Sequence, residues 1–115
     1  MNTLRHAPLD SGRARSPKVQ ELFDCIYEVV AEIPHGKVMS YGSVAQASGV
    51  KSPRWVGRAM HANTNPQEVP CHRVVHSDGK LAPSYAFGGK DVQKQRLLDE
   101  GVKFLNDRVD PSCIL

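Results

Sequence analysis

The chain has 115 residues, 40% hydrophobic and 23% charged, with a formal net charge of +3. That is one small domain of ordinary globular composition: no apolar run approaches a membrane span, and the N-terminus lacks the apolar core of a signal peptide. Cys25, Cys71 and Cys113 are an odd number without metal-ligand spacing, which argues against a disulfide scaffold or metal centre and for a reducing, cytoplasmic setting.

The first 18 residues hold Arg5, Arg13, Arg15 and Lys18 against Asp10 alone, so the remainder of the chain is near neutral. With Pro8, Ser11 and Gly12 mixed in, residues 1–15 read as a disordered basic arm, either a phosphate contact or a solvated tail. Residues 16–115 read as the folded domain. Ser16-Pro17 is a helix start, a capping hydroxyl followed by proline at the first helical position. Val19, Leu22, Phe23, Ile26, Val29, Val30 and Ile33 then recur at spacings of three and four as one apolar stripe. Cys25 lies off its centre and is expected to pack. Pro34 ends the helix, and residues 33–38 make a turn.

Ser40 can cap a second helix running through Val44, Ala45 and Ala47 to a left-handed stop at Gly49. Ser52-Pro53 opens a third over residues 54–62. Two short helices joined by a tight glycine-containing turn match either a helix-turn-helix, whose second helix enters a DNA groove, or a plain helical hairpin. Gly57, Ala59 and Ala62 leave the third helix bare, open to close approach by another backbone from inside the protein or from DNA. Asn63 to Pro66 closes it. Ser77-Asp78-Gly79 is a turn into a return strand at Lys80-Leu81. Residues 82–89 are loop, 91–100 a last helix with Val92, Leu97 and Leu98 apolar, and 102–105 a short strand with a turn at Asn106-Asp107.

The remaining stretch is chemically the richest. Val69-Pro70-Cys71-His72-Arg73-Val74-Val75 puts a thiol, an imidazole and a guanidinium at consecutive positions. Proline fixes its own φ and the β-branched pair favours a short buried strand, so Cys71 should sit at a defined bend. A thiol becomes a nucleophile as thiolate, and a neighbouring imidazole is one way to reach it; a buried structural cysteine is the other reading of the same residues.

The run Ile33-Pro34-His35-Gly36-Lys37-Val38-Met39-Ser40-Tyr41-Gly42 is followed by 54–60, Asn63, Pro70-Cys71-His72-Arg73-Val74-Val75, Ser77-Asp78-Gly79, Tyr85, Gly88-Gly89 and Leu97-Leu98-Asp99-Glu100-Gly101. In that order and spacing, residues 19–105 resemble the DNA-binding, active-site domain of O6-alkylguanine-DNA alkyltransferases. The resemblance implies a mainly α fold with a small β component, a winged-helix-like helix-turn-helix domain. It implies that Cys71 accepts the alkyl group of a flipped guanine, irreversibly, with His72 as base through a water and Glu100 orienting it. Asn63 would support the bend, and Tyr41 would press on the target phosphate and protonate the departing guanine. Arg54 would be the finger left in the base stack, with Trp55, Gly57, Arg58 and Arg73 alongside DNA in the minor groove. Tyr85, Ala86, Phe87 and Gly88 would wall the pocket. No metal or organic cofactor is implied, and a monomer acting on double-stranded DNA is expected.

Three departures qualify this. Pro53 and Trp55 flank Arg54 where small residues are usual, so Trp55 either turns into the core or offers DNA a stacking surface. The 82–87 loop is longer by about two residues than usual. Only a short arm precedes the first helix, as in the alkyltransferase-like proteins, which bind the lesion without repairing it and flag it for excision-repair proteins. Those proteins typically lack the cysteine that this chain has. A transcription regulator using the helix-turn-helix alone would leave Cys71 unexplained.

Overall fold

Ser16 caps α1 (Pro17–Ala31) as expected, its side-chain oxygen accepting from the Val19 N–H at 3.2 Å. The computed structural model describes residues 16–82 and 85–115; the basic arm, residues 1–15, and loop positions 83–84 lie outside the described residues. Helix α1 buries Phe23, Ile26 and Val30 along its stripe, while Cys25, expected to pack, faces outward. Its position off the stripe centre carries it past the edge of the buried face.

Strand β1 (Met39–Ser40) leads into α2 (Tyr41–Ser48), capped by Ser40 and stopped at Gly49 with φ +78. Helix α3 (Pro53–Ala62) begins at a Ser52 cap bonded to the Arg54 N–H. Each cap is worth about 1 kcal/mol. Helices α1, α2 and α3 share one core with Phe23, Ile26, Val44, Val56, Ala59 and Met60 at its centre. Helices α2 and α3 pack against each other within this core.

After a single 3-10 turn, Cys71–Arg73, comes β2 (Val74–Val75), which pairs in parallel with β1. The expected hairpin from β2 to a return strand at Lys80-Leu81 does not form. The turn closes, with Gly79 N–H on His76 O and His76 N–H on Lys80 O, both at 2.9 Å, but Lys80 then bridges to Arg108. Val74 and Val75 are both 0% exposed, so β2 needs cover on both faces. Pairing with β1 between two apolar cores supplies that, and a hairpin beside charged Lys80 would not.

Helix α4 (Gly89–Asp99) starts two residues earlier than its pattern suggests. It departs from it in composition as well: Val92 and Leu98 are exposed, and the buried positions are Leu97 and Gln93. The chain ends in a hairpin of β3 (Phe104–Leu105) and β4 (Arg108–Val109), turning at Asn106 with φ +61, and in a second 3-10 turn, Pro111–Cys113. These elements enclose a second core of Val38, Val75, Leu81, Leu97, Val102, Val109 and Cys113.

The small parallel ladder lies between the two cores. Successive strand side chains point to opposite faces, so Val74 enters the first core and Val75 the second. The turn carrying Cys71 is thereby anchored from both sides.

Candidate active site

Pro70 adopts φ −75 and ψ 75, and the Cys71 N–H donates back to Val69 O at 2.7 Å. That is an inverse γ-turn with proline at its centre, where proline's fixed φ already suits it. The 3-10 turn follows at once, with Arg73 N–H on Pro70 O at 2.9 Å. Asn63 braces the bend. Its Nδ2 donates to Val69 O at 2.8 Å while its Oδ1 accepts from the Asn65 N–H at 3.0 Å.

Cys71 is 3% exposed. Burial pushes its thiol above the ordinary value, against opposing pulls from Asn63, the local backbone and the charge of Arg96. The resting group is the neutral thiol, so a nucleophilic reaction must include removal of its proton.

His72 is 4% exposed, and its Nε2 lies 2.8 Å from Glu100 Oε2. Burial lowers the pKa of this imidazole and outweighs the raising effect of Glu100, so His72 is neutral at pH 7. Burial would raise Glu100, but hydrogen bonds from Arg73 and His72 hold it down to about 2. An ionised carboxylate only accepts, which puts the single imidazole proton on Nε2 and leaves Nδ1 a free lone pair. Nδ1 is buried and meets no hydrogen-bond partner among the described residues.

Arg73, expected on DNA, turns inward instead. Its Nε and Nη2 grip the two oxygens of Glu100 at 2.9 and 2.8 Å, and its Nη1 donates to Ile33 O at 2.7 Å. Burying Glu100 at 12% exposure beside His72 requires such a bidentate partner. Exposed His35 lies 3.8 Å from the same carboxylate oxygen. Gly36, at φ +87, passes so close that a Cβ would come within 3.3 Å of Glu100 O.

Tyr41, at the first position of α2, stacks at a tilt on His76 with ring centroids 5.2 Å apart. Burial and the charge of Cys71 raise its pKa. Tyr85 is 8% exposed and joins the same core as Cys71. Burial, then Cys71, pushes its hydroxyl up to about 12, and that hydroxyl is also buried without a partner among the described residues. Phe87 packs edge-on against Tyr85 at 5.8 Å, while Ala86 and Gly88 are exposed.

On α3, Arg54 and Arg58 are exposed. Trp55 takes the inward course, edge-on to Phe23 at 6.5 Å, with the Arg58 guanidinium 4.7 Å over its ring. Ala59 is wholly buried, whereas nothing among the described residues lies within 4 Å of where a Gly57 Cβ would be. The bare face therefore divides into an inner residue and an open one. An open groove of about 1000 Å³ between α4 and the β3–β4 hairpin, holding Lys80, Lys90, Lys94 and Leu105, is lined by none of the candidate catalytic, DNA-binding or pocket residues.

A profile of the DNA-binding domain of 6-O-methylguanine DNA methyltransferases matches residues 21–102. The chain belongs to that family. The alkyltransferase-like protein 1 of Schizosaccharomyces pombe is 39% identical over 87 residues, which cover 75% of this chain and 81% of that protein. The methylated-DNA–protein-cysteine methyltransferase of rat is 36% identical over 78 residues, covering 67% of this chain but only 37% of the rat protein. The crystal structure of the S. pombe protein with damaged DNA containing O6-carboxymethylguanine superposes with a TM-score of 0.72, at 32% identity, over 89% of this chain and 98% of that one. The family fold thus agrees with the mainly α helix-turn-helix domain expected here.

One residue packed against the site escaped the sequence reading. Gln93 is 0% exposed; its Oε1 accepts from the Ala82 N–H, and its Nε2 donates to His72 O and Val74 O, all at 3.1 Å. Within the polar run Gln93-Lys94-Gln95-Arg96 nothing marks it. The signal available was helical phase alone, since Gln93, Leu97 and Glu100 share one face.

Proposed function

We propose that this protein repairs O6-alkylguanine in duplex DNA by irreversible transfer of the alkyl group to Cys71. The observation that supports the reading most is the 2.8 Å contact of His72 Nε2 with Glu100 beside a buried thiol. With Nε2–H engaged, Nδ1 takes the thiol proton through a water. The sulfur attacks the alkyl carbon, forming the C–S bond as the C–O6 bond breaks, and the released electron pair passes to guanine. Tyr41 protonates that guanine and recovers a proton from His72, so thiol and alkylguanine become thioether and guanine. The protein is consumed in one turnover.

Extruding a base costs a few kcal/mol and least for a damaged pair. Arg54 at the exposed start of α3 fills the vacated stack, and the open position at Gly57 suits approach of a minor-groove backbone, with Arg58 alongside. Tyr85 and Phe87 wall the alkyl pocket. The protein acts as a monomer, and its three free cysteines fit the cytoplasm.

The second reading is a lesion-binding protein that recruits excision repair. It is favoured by the raised pKa of Cys71 and by the near-complete coverage of the S. pombe alkyltransferase-like protein. Intact mass after incubation with a duplex carrying one O6-methylguanine decides between them. A gain of about 14 Da on the Cys71 peptide is the expected result of covalent transfer. Lesion-selective binding without mass change establishes the second reading, and absence of any lesion preference overturns both.

A further inference from the structure

Gln93 is a fully buried amide with both N–H donors and its oxygen engaged, and each partner is a backbone group of the site. Two of those partners, the carbonyls of His72 and Val74, belong to the turn that carries the thiol and to the strand that anchors it. The third, the Ala82 N–H, begins the segment that leads to Tyr85. Ala82 O accepts from the Tyr85 N–H at 3.1 Å, and Tyr85 O from the Gly89 N–H at 2.9 Å, at the start of α4. Hydrogen bonds therefore run without a break from His72 through Gln93 and Ala82 to Tyr85, and back into the helix that bears Gln93.

The surroundings make this linkage stiff. Leu81, Ala82, Val74 and Leu97 are all buried. In such a setting an amide that loses a partner strands a buried donor or acceptor. An apolar side chain at position 93 would leave two carbonyls and one N–H unmatched together. Besides its contribution to stability, the glutamine ties the thiol turn to the aromatic wall by hydrogen bonds, within the core that Cys71 and Tyr85 share.

We infer that Gln93 is a positioning residue that sets how Tyr85 is held in the core it shares with Cys71, and so which alkyl groups the thiol can reach. The reference to alkyl groups rests on the function proposed above; the geometric claim does not.

The test labels Cys71 in a Cys25→Ser background with methyl methanethiosulfonate and with benzyl methanethiosulfonate. In each, the thiolate forms an S–S bond to the reagent as methanesulfinate leaves. Peptide mapping separates Cys71 from Cys113. The parent reacts faster with the methyl reagent. In Gln93→Leu the methyl-to-benzyl rate ratio falls by about tenfold, a scale that one lost hydrogen bond to a buried carbonyl supports. Val109→Ala, in the second core, is the stability control: it lowers the unfolding midpoint and leaves the ratio unchanged. If Gln93→Leu does not fold, Gln93→Asn, which keeps the amide one methylene short, is read in its place and is expected to lower the ratio. A ratio equal to the parent's in the Gln93 variant that folds overturns the inference. The labelling needs no DNA, so a parent protein that gains no mass from the lesion duplex counts against the proposed function alone.

Discussion

His72 Nε2 and Glu100 Oε2 lie 2.8 Å apart across 28 residues of chain, both largely buried, with Arg73 closing the other side of the carboxylate. Three residues from two segments thus form one charged unit inside a small domain. Its energetics make it the place where pH and mutation act most strongly.

Acid should loosen this unit before the rest of the protein. The folded pKa of Glu100, about 2, is depressed from 4.5, so it contributes stability that is fully present above pH 4.5 and lost as pH falls towards 2. By linkage the loss is on the order of 2–3 kcal/mol. Urea unfolding at pH 7, 4.5 and 3 should show it, and Glu100→Gln should remove most of the slope between the last two. An unchanged slope would mean that other carboxylates govern acid unfolding.

Arg73 should behave as a brace. Arg73→Met leaves Glu100 buried without its bidentate partner, at a cost of about 3–5 kcal/mol. If Arg73 contacted phosphates, the salt dependence of DNA binding would shrink by about one unit of slope when it is removed. The inward geometry predicts a large stability loss with that slope intact, checked by denaturation and by binding at several salt concentrations.

Thiol reactivity should rank by burial and not by neighbourhood. Cys25 is exposed while Cys71 and Cys113 are buried, so iodoacetamide at pH 7 should modify Cys25 first. Because burial raises the pKa of Cys71, its labelling should continue to rise beyond pH 9. Asn63→Ala removes a group that favours the thiolate and should slow Cys71 further at neutral pH. Cys71 labelling as fast as that of Cys25 would contradict the buried turn.

Gly57 separates packing from recognition. Among the described residues nothing lies within 4 Å of a Cβ there, so Gly57→Leu should fold and gain up to about 1 kcal/mol from helix propensity. Affinity for duplex DNA should nevertheless fall by about tenfold or more, on the view that a minor-groove backbone approaches this face. Unaltered binding, measured by fluorescence anisotropy, would move the DNA elsewhere.

Local chemistry was written plainly in the chain. Ser16-Pro17, Ser40, Gly49 and Ser52-Pro53 set the helix ends, because caps and breakers act through bonds to their nearest neighbours. The apolar spacing of α1 set its buried face for the same kind of reason. The motif around Cys71 and the order of its companions were enough to indicate the family. What the sequence left open lies at long range. Whether Val74-Val75 paired with the strand before or after it depended on which position could cover both faces, and only the two cores decide that. Arg73 looked like a DNA contact until Glu100, 27 residues away, was folded against it. Gln93 stood unmarked in a polar run until three backbone groups from two segments converged on it. Cys71 precedes an imidazole in the sequence, yet its protonation at rest follows from burial, which belongs to the folded molecule and to no single residue.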